Sequence, residues 1–303
     1  MPGKKRVVLF KKQDTDDKYQ QLLLENGFET DFMPVLDHKL VNIDIIKSII
    51  QNGPSREQLC AMVLTSQRSV EAIDEACREL TSLDQHVRKE WNSIPIYVVG
   101  PQTAEALVQL PLFRDFSSHD HWIVAPRASE LIKSFSPQHL DSTVLFLAGD
   151  KRREVIPEAL SAAHIALREI QSYVTCAHPD LENRIRQDDN LLQADWAVYF
   201  SPSGLKFLVN QLGNRAHLLA NTKIASIGPT TSDYITNQLK LNVNAEAEKP
   251  DAEHLKGSLN KRIQVAMASN VFQSYFNVAA SASVSTNAST SDGSNTTTNM
   301  STV

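Results

Sequence analysis

The stretch 224-IASIGPTTSDYI-235 reads as a buried strand, a Gly-Pro break, two hydroxyl residues and the opening of a helix, and 96-IYVVGPQTAEAL-107 repeats the pattern. A β-rich run that turns over into a helix, repeated along a chain, marks a parallel sheet with crossover helices. The rest of the chain keeps that alternation. Candidate strands are 6-RVVLF-10, 29-ETDFMPV-35, 61-AMVLT-65, 95-PIYVV-99, 121-HWIV-124, 144-VLFLA-148, 196-WAVYF-200, 223-KIASI-227 and 241-LNVNA-245. Several are continuously apolar, as strands covered by helices on both faces should be. Candidate helices fall at 16–27, 42–53, 67–80, 102–110, 128–135, 153–163, 203–212, 230–239 and 251–263; the first two finish on Asn-Gly, a stop signal.

The two halves resemble each other. 62-MVLTSQRSVEAI-73 aligns with 197-AVYFSPSGLKFL-208, placing Ser66 against Ser201, 135 positions apart; Gly100 aligns with Gly228 at 128, and 7-VVLF-10 with 144-VLFL-147 at 137. Such similar offsets point to two versions of one α/β architecture. They leave open whether the chain passes between the halves once or twice. The segment 269–303, ending AASASVSTNASTSDGSNTTTNMSTV, is Ser/Thr/Asn-rich and without periodicity, and is expected to be disordered. Its sequons at Asn287, Asn295 and Asn299 read as accidents of composition, since no signal peptide precedes them.

Composition narrows the function. A formal charge of −5 over 303 residues argues against a nucleic-acid-binding surface, which usually carries a basic face. No apolar run approaches a membrane span, and VVLF near the start is too short for a signal peptide, so a cytoplasmic protein is expected. Three cysteines, Cys60, Cys77 and Cys176, at unpatterned spacing fit neither a disulfide framework nor a thiolate metal site. There is no GxGxxG after a strand and no phosphate-binding GxxxxGK[ST]; FSPSG is a poor GxSxG elbow. The histidines of 119-HDH-121 read as surface groups, and 14-DTDD-17 as a helix cap with its first turn.

Four strand-to-helix junctions remain: 64-LTSQRS-69, 99-VGPQTA-104, 200-FSPSG-204 and 227-IGPTT-231. In open parallel sheets ligands gather at the carboxyl ends of the strands. Each junction offers small residues, hydroxyls and free N–H groups at a helix start, which together can cradle an anion. Each hydroxyl also reads as a simple N-cap, but capping alone does not require two matched pairs. The segment 168-REIQSYVTCAHPD-180 begins like a strand and breaks at His178-Pro179; its Tyr173 is either a core ring or a group at a crossing between domains.

Six ordered segments, 63-VLTSQRSVEAI-73, 97-YVVGPQTAEAL-107, 145-LFLAGDKRREVIPEAL-160, 170-IQSYVTCAHP-179, 199-YFSPSGLKFLV-209 and 224-IASIGPTTSDYI-235, resemble the uroporphyrinogen-III synthase family over roughly residues 5 to 265. YxTxxHP, FSPSG and IGPTT are the most specific of them. The resemblance implies two flavodoxin-like α/β domains joined by a two-stranded hinge with a cleft between them: one of 1–35 plus 178–268, the other of 37–171. It implies cyclisation of hydroxymethylbilane to uroporphyrinogen III, with inversion of ring D and loss of water, without metal or organic cofactor, membrane or nucleic-acid partner. Nothing marks an oligomer interface, and a monomer is expected. Tyr173, matching the YxTxxHP tyrosine, is the candidate donor to the departing hydroxyl. Thr65, Ser66, Arg68, Thr103, Lys151, Ser201, Ser203, Gly204, Gly228, Thr230 and Thr231 are the candidate substrate contacts. The segment 115-DFSSHDHWIVAPRASEL-131 departs from the family pattern, and no contact is assigned there. The competing reading is a two-domain protein that clasps an anionic small molecule without transforming it.

Overall fold

The computed structural model describes residues 4–80, 82–114, 116, 118–135, 142–187 and 194–264; the segment 269–303 lies outside them. The chain divides into two compact units, the first made of 1–34 and 182–303, the second of 35–181. It therefore leaves the first unit once and returns once.

The first unit is built on β1 (Lys5–Phe10), β2 (Phe28–Phe32), β9 (Trp196–Tyr199), β10 (Lys223–Ser226) and β11 (Ala245–Glu246). All neighbours pair in parallel, in the spatial order β2-β1-β9-β10-β11. Counted along this unit's own chain, that is 2-1-3-4-5, the flavodoxin-like order. Val7, Leu9, Trp196, Val198 and Ala225 pack on one face against Leu23 of α1 (Lys18–Glu25) and Leu255 and Leu259 of the helix at 252–264. Val8, Phe10, Ala197 and Tyr199 alternate with them and are equally buried, so apolar residues fill both faces. Helices α9 (Pro202–Leu212) and α10 (Pro229–Asn237) follow β9 and β10 directly.

The second unit carries β3 (Leu36–Leu40), β4 (Leu59–Leu64), β5 (Ile96–Val99), β6 (Trp122–Ala125), β7 (Thr143–Gly149) and β8 (Ala166–Ala177) in the order β3-β8-β7-β4-β5-β6. Only the β3–β8 pair is antiparallel. One face of the sheet, with Met62, Leu64, Leu145 and Leu147, packs on Ile46 and Ile49 of α2 (Ile43–Glu57), Ile73 of α3 (Gln67–Arg78) and Leu107 of α5 (Pro101–Val108). The other, with Ala61, Val63, Val144 and Phe146, packs on Leu131 of α6 (Ala128–Leu131) and on Ile156 and Leu160 of α7 (Val155–Ala162).

The parallel strands of this sheet also read 2-1-3-4-5 if counting starts at β7 and continues β8, β4, β5, β6. The sequence repeat has the same correspondence: β1 with β7, β9 with β4 and β10 with β5. The units share a spatial order and differ in where the chain enters it, which is why the alignments run forward for one pair and backward for the others.

Differences from the sequence reading are local. The strand expected at 241–245 is reduced to Ala245–Glu246. β3 was not anticipated, because 36-LDHKL-40 is short and half polar, as an edge strand can be. Helices α4 (Gln85–Trp91) and α8 (Leu181–Gln187) were not anticipated either. The helix expected to stop at Asn52-Gly53 breaks at Gly53 (φ 82°, ψ 161°) and resumes to Glu57. Glu90 of α4 accepts from the Ser55 N–H at 3.1 Å and so caps the resumed turn. Among the described residues no helix is long and apolar enough to cross a membrane.

Candidate active site

Sheet order dictates where a ligand can approach. In the second unit the order reverses between β7 and β4, and the loops leaving their carboxyl ends diverge there. A cleft of about 380 Å³ opens at this edge. Thr65 comes from the end of β4, Val99 from β5, Arg127 and Ser129 from beyond β6, Lys151, Arg152 and Arg153 from beyond β7, and Tyr173 from β8. Phe146, Val155 and Ile156 make its apolar floor. Four cationic side chains around an apolar floor, with one phenol, favour a ligand that is both anionic and hydrophobic. Arg152 is already committed, donating to Glu154 and Glu169 at 2.5 Å each.

Thr65, Lys151 and Tyr173 are thus brought together as line-mates of one cleft. Arg127, Ser129, Arg152 and Arg153 join them without having been singled out. Arg127 lies in the segment that departs from the family pattern, where no contact could be assigned. Arg152 and Arg153 were legible in principle as the rest of 151-KRR-153 after a buried strand.

The neighbouring junction supplies Ser66 and Arg68. Ser66 caps α3 by accepting from the Arg68 N–H at 3.2 Å. The Arg68 guanidinium holds both Glu71 oxygens, at 2.6 and 2.7 Å. Bonding to Glu71 pushes its pKa up, with Asp37 and Tyr173 adding to the effect from nearby.

The YxTxxHP motif fastens strand ends. Asp150, just past β7, accepts from the Thr175 N–H at 2.9 Å and from its hydroxyl at 3.0 Å. His178 accepts through Nδ1 from the Asp180 N–H at 3.2 Å, closing the turn into α8. Tyr173, half-buried, meets His38 of β3 edge-on at 5.7 Å between ring centres.

In the first unit Ser201 caps α9, accepting from the Gly204 N–H at 3.1 Å; Ser203 and Gly204 lie in its first turn. The caps at Ser66 and Ser201 bear out the plain reading of those hydroxyls, although each keeps a proton to donate. The two Gly-Pro junctions differ from them and from each other. Neither helix that follows has a side-chain cap. Gly100 sits at φ 87°, a conformation that only glycine adopts readily. Gly228 is extended (φ 164°), and a Cβ there would meet nothing within 4 Å. Thr103 and Thr231 are buried, whereas Thr230 is exposed.

Elsewhere, His119 lies against Trp122 with 4.3 Å between ring centres and the ring planes tilted by 54°, and its Nε2 lies 3.2 Å from the Phe113 carbonyl oxygen. Asp17 caps α1 as expected, accepting from the Tyr19 and Gln20 N–H groups.

Fold and site together define a class: a two-unit α/β protein in which one flavodoxin-ordered sheet presents a cationic, partly apolar cleft at its carboxyl edge. Residues 17–256 match the family described as uroporphyrinogen-III synthase HemD. The chain is 30% identical over 267 residues to the uroporphyrinogen-III synthase of Saccharomyces cerevisiae, covering 83% of this chain and 94% of that one. It is 28% identical over 260 residues to that of Schizosaccharomyces pombe, covering 84% and 96%. The crystal structure of uroporphyrinogen-III synthetase from Helicobacter pylori superposes with a TM-score of 0.50 at 17% identity, over 87% of this chain and 99% of that one, a likeness of fold. The chain belongs to the uroporphyrinogen-III synthase family.

Proposed function

We propose that this chain cyclises hydroxymethylbilane to uroporphyrinogen III, inverting ring D and eliminating water, in tetrapyrrole (haem) biosynthesis. Family membership supports the reaction. The observation in the structure that carries it is the cleft where Tyr173 shares a wall with Lys151, Arg127 and Arg153 above an apolar floor. The bilane has apolar pyrrole rings and eight carboxylates, so its chemistry matches both parts of that lining.

The reaction begins when the pyrrole nitrogen pushes out the terminal hydroxyl, breaking the carbinol C–O bond. Tyr173 donates a hydrogen bond to the departing oxygen, which leaves as water once it has taken a proton. The resulting cation is attacked by the substituted α-carbon of ring D. The spiro intermediate breaks that carbon's bond to the bridge from ring C, and the bridge cation so formed bonds the free α-carbon of ring D, which loses a proton in place of the one taken up by the departing water. The bilane also closes unaided to the symmetric I isomer, so the protein's main task is to hold one geometry. Arg127, Lys151 and Arg153 hold carboxylates by charge, and Thr65, Ser66 and Arg68 add donors beside them. We assign further carboxylate contacts to Ser201, Ser203, Gly204, Gly228 and Thr230, and a packing role to Thr103 and Thr231. The protein is proposed to act as a cytoplasmic monomer.

The test is the isomer composition of uroporphyrin formed from hydroxymethylbilane with and without the protein. A shift from isomer I to isomer III is expected. An unchanged composition alongside tight bilane binding would replace the enzyme by a clasp.

A further inference from the structure

β8 does not run evenly past β7. Their register is constant from Thr143 opposite Ala166 to Ala148 opposite Gln171, then slips, so that Gly149 faces Tyr173 and Ser172 becomes the extra residue of a bulge. Without the slip Gly149 would face Ser172, and Tyr173 would face Asp150. Bulges re-aim side chains. This one brings the phenol into register with a residue that has no side chain. A Cβ on Gly149 would lie 2.3 Å from Cζ, 2.5 Å from Cε2 and 2.6 Å from the hydroxyl oxygen of Tyr173, so the ring occupies that space.

The bulge has its own fastening. Ser172 is fully buried, with its Oγ 3.0 Å from the Ala148 carbonyl oxygen and 3.1 Å from Ser69 Oγ. Ser69, equally buried on α3, donates to the Leu147 carbonyl at 2.8 Å. Two hydroxyls thus tie α3 and the bulged strand to consecutive carbonyls of β7 immediately before Gly149. An apolar pair would fill that space without holding the slip at one residue.

We propose that Gly149, Ser172 and Ser69 are positioning residues for Tyr173, setting where its hydroxyl meets the reacting carbinol. This rests on the role given to Tyr173 above.

The test uses the full chain carrying Gly149→Ala, Ser172→Ala or Ser69→Ala, each alone and combined with Tyr173→Phe. Uroporphyrinogen III formation is measured, and the tyrosines are labelled with 3-fluorotyrosine for ¹⁹F NMR. Gly149→Ala, Ser172→Ala and Ser69→Ala are each expected to lower kcat by roughly ten-fold or more with KM unchanged. They should add nothing to the loss in Tyr173→Phe, because their effect passes through that phenol. The resonance missing from Tyr173→Phe should shift in all three single variants while the others stay in place. Ser172→Ala removes one buried oxygen and keeps the comparison available if Gly149→Ala fails to fold. Wild-type kcat in the single variants beside a slow Tyr173→Phe sinks this proposal alone, as does an undiminished loss in the Tyr173→Phe background or an unmoved resonance. A Tyr173→Phe variant as fast as wild type sinks the reading of Tyr173 and this proposal with it.

Discussion

Gly100 and Gly228 hold the same place in two copies of one motif, yet the backbone needs glycine only at the first. Gly100→Ala forces a side chain into the left-handed region and is expected to destabilise the protein by about 1–2 kcal/mol, read as a lower denaturation midpoint. Gly228→Ala meets open space and an ordinary φ, so stability should stay within about 0.5 kcal/mol of wild type or rise slightly. If the ligand approaches that backbone, KM for the bilane should rise several-fold in Gly228→Ala. Unchanged kinetics would remove Gly228 from the site. Among the hydroxyls, loss of a neutral hydrogen bond such as that proposed for Thr65 should cost about 1 kcal/mol in kcat/KM. Tyr173→Phe should cost most, roughly 100-fold in kcat, and a smaller effect than Thr65→Val would reverse that ranking. The sequence named Thr65 and Lys151 because each ends or follows a buried strand in a matching motif, and Tyr173 because it matches the YxTxxHP tyrosine of the family. It could not name Arg127, whose segment has no counterpart in the pattern and whose place depends on β6 pairing beside β5. Cys77 illustrates the opposite case, a group whose chemistry burial suppresses. Burial pushes its thiol from 9.0 to about 11, with Asp74 adding to the rise. An unfolded chain therefore loses that proton first, so stability should fall as pH rises from about 9 to 11, and less steeply in Cys77→Ala. Melting temperatures across that range decide it.

At the scale of elements, the start of α1 shows how a cap and a buried cation depend on each other. Lys11 follows β1 and bonds Asp14, at 2.7 Å, and Asp17. Its ammonium lies 5.4 to 5.9 Å from the ring centres of Tyr19, Phe32 and Phe200. Burial works to raise the Asp17 pKa, but the Lys11 bond and the Asp14 and Gln20 N–H groups outweigh it and hold the carboxyl below its usual value. A lowered carboxyl pKa stabilises the fold above 3.8, and that contribution is lost as pH falls through the folded value. Asp17→Ala removes a cap and leaves the part-buried ammonium with Asp14 as its carboxylate partner, so about 1–2 kcal/mol of stability should be lost at neutral pH. The gap from wild type should narrow in acid; a gap independent of pH would mean the ion pair contributes nothing. This cap was legible in 14-DTDD-17, because capping is a matter of a few adjacent residues. The β3–β8 ribbon was half legible. Its second strand showed as 168-REIQSYVTCAHPD-180, but its partner 36-LDHKL-40 becomes a strand only by pairing with it, Leu36 opposite Ala177 and Leu40 opposite Tyr173.

At the scale of the molecule, the two units differ in how the chain supplies them. The second is continuous from 35 to 181 and owns cores on both faces of its sheet. Expressed alone, that segment should fold cooperatively, with a sigmoidal denaturant transition; a broad or absent transition would show that it needs the remainder. The first unit is assembled from two segments and cannot be cut out as one piece. Charge is also unevenly placed. The whole chain carries −5, while the cleft gathers Arg127, Lys151, Arg152 and Arg153. An octacarboxylate drawn to such a site should bind more weakly as salt screens it, so KM should climb with ionic strength between about 0.05 and 0.5 M while kcat holds. A KM flat in salt would argue that neutral donors dominate.

The sequence by itself determined that strands alternate with helices, that one α/β architecture occurs twice, and that hydroxyl-bearing junctions follow the buried strands. Those features are written in apolar periodicity, caps and repeats, all of which act over a few neighbouring residues. Only the tertiary structure decided that the two sheets share one strand order entered at different points, and that the cleft draws at once on the ends of β4, β5, β6 and β7 and on Tyr173 within β8. It also decided that a one-residue slip lays Tyr173 over Gly149. Strand order and register are set by pairing between segments far apart in the chain, and no local pattern records which segment will be the neighbour.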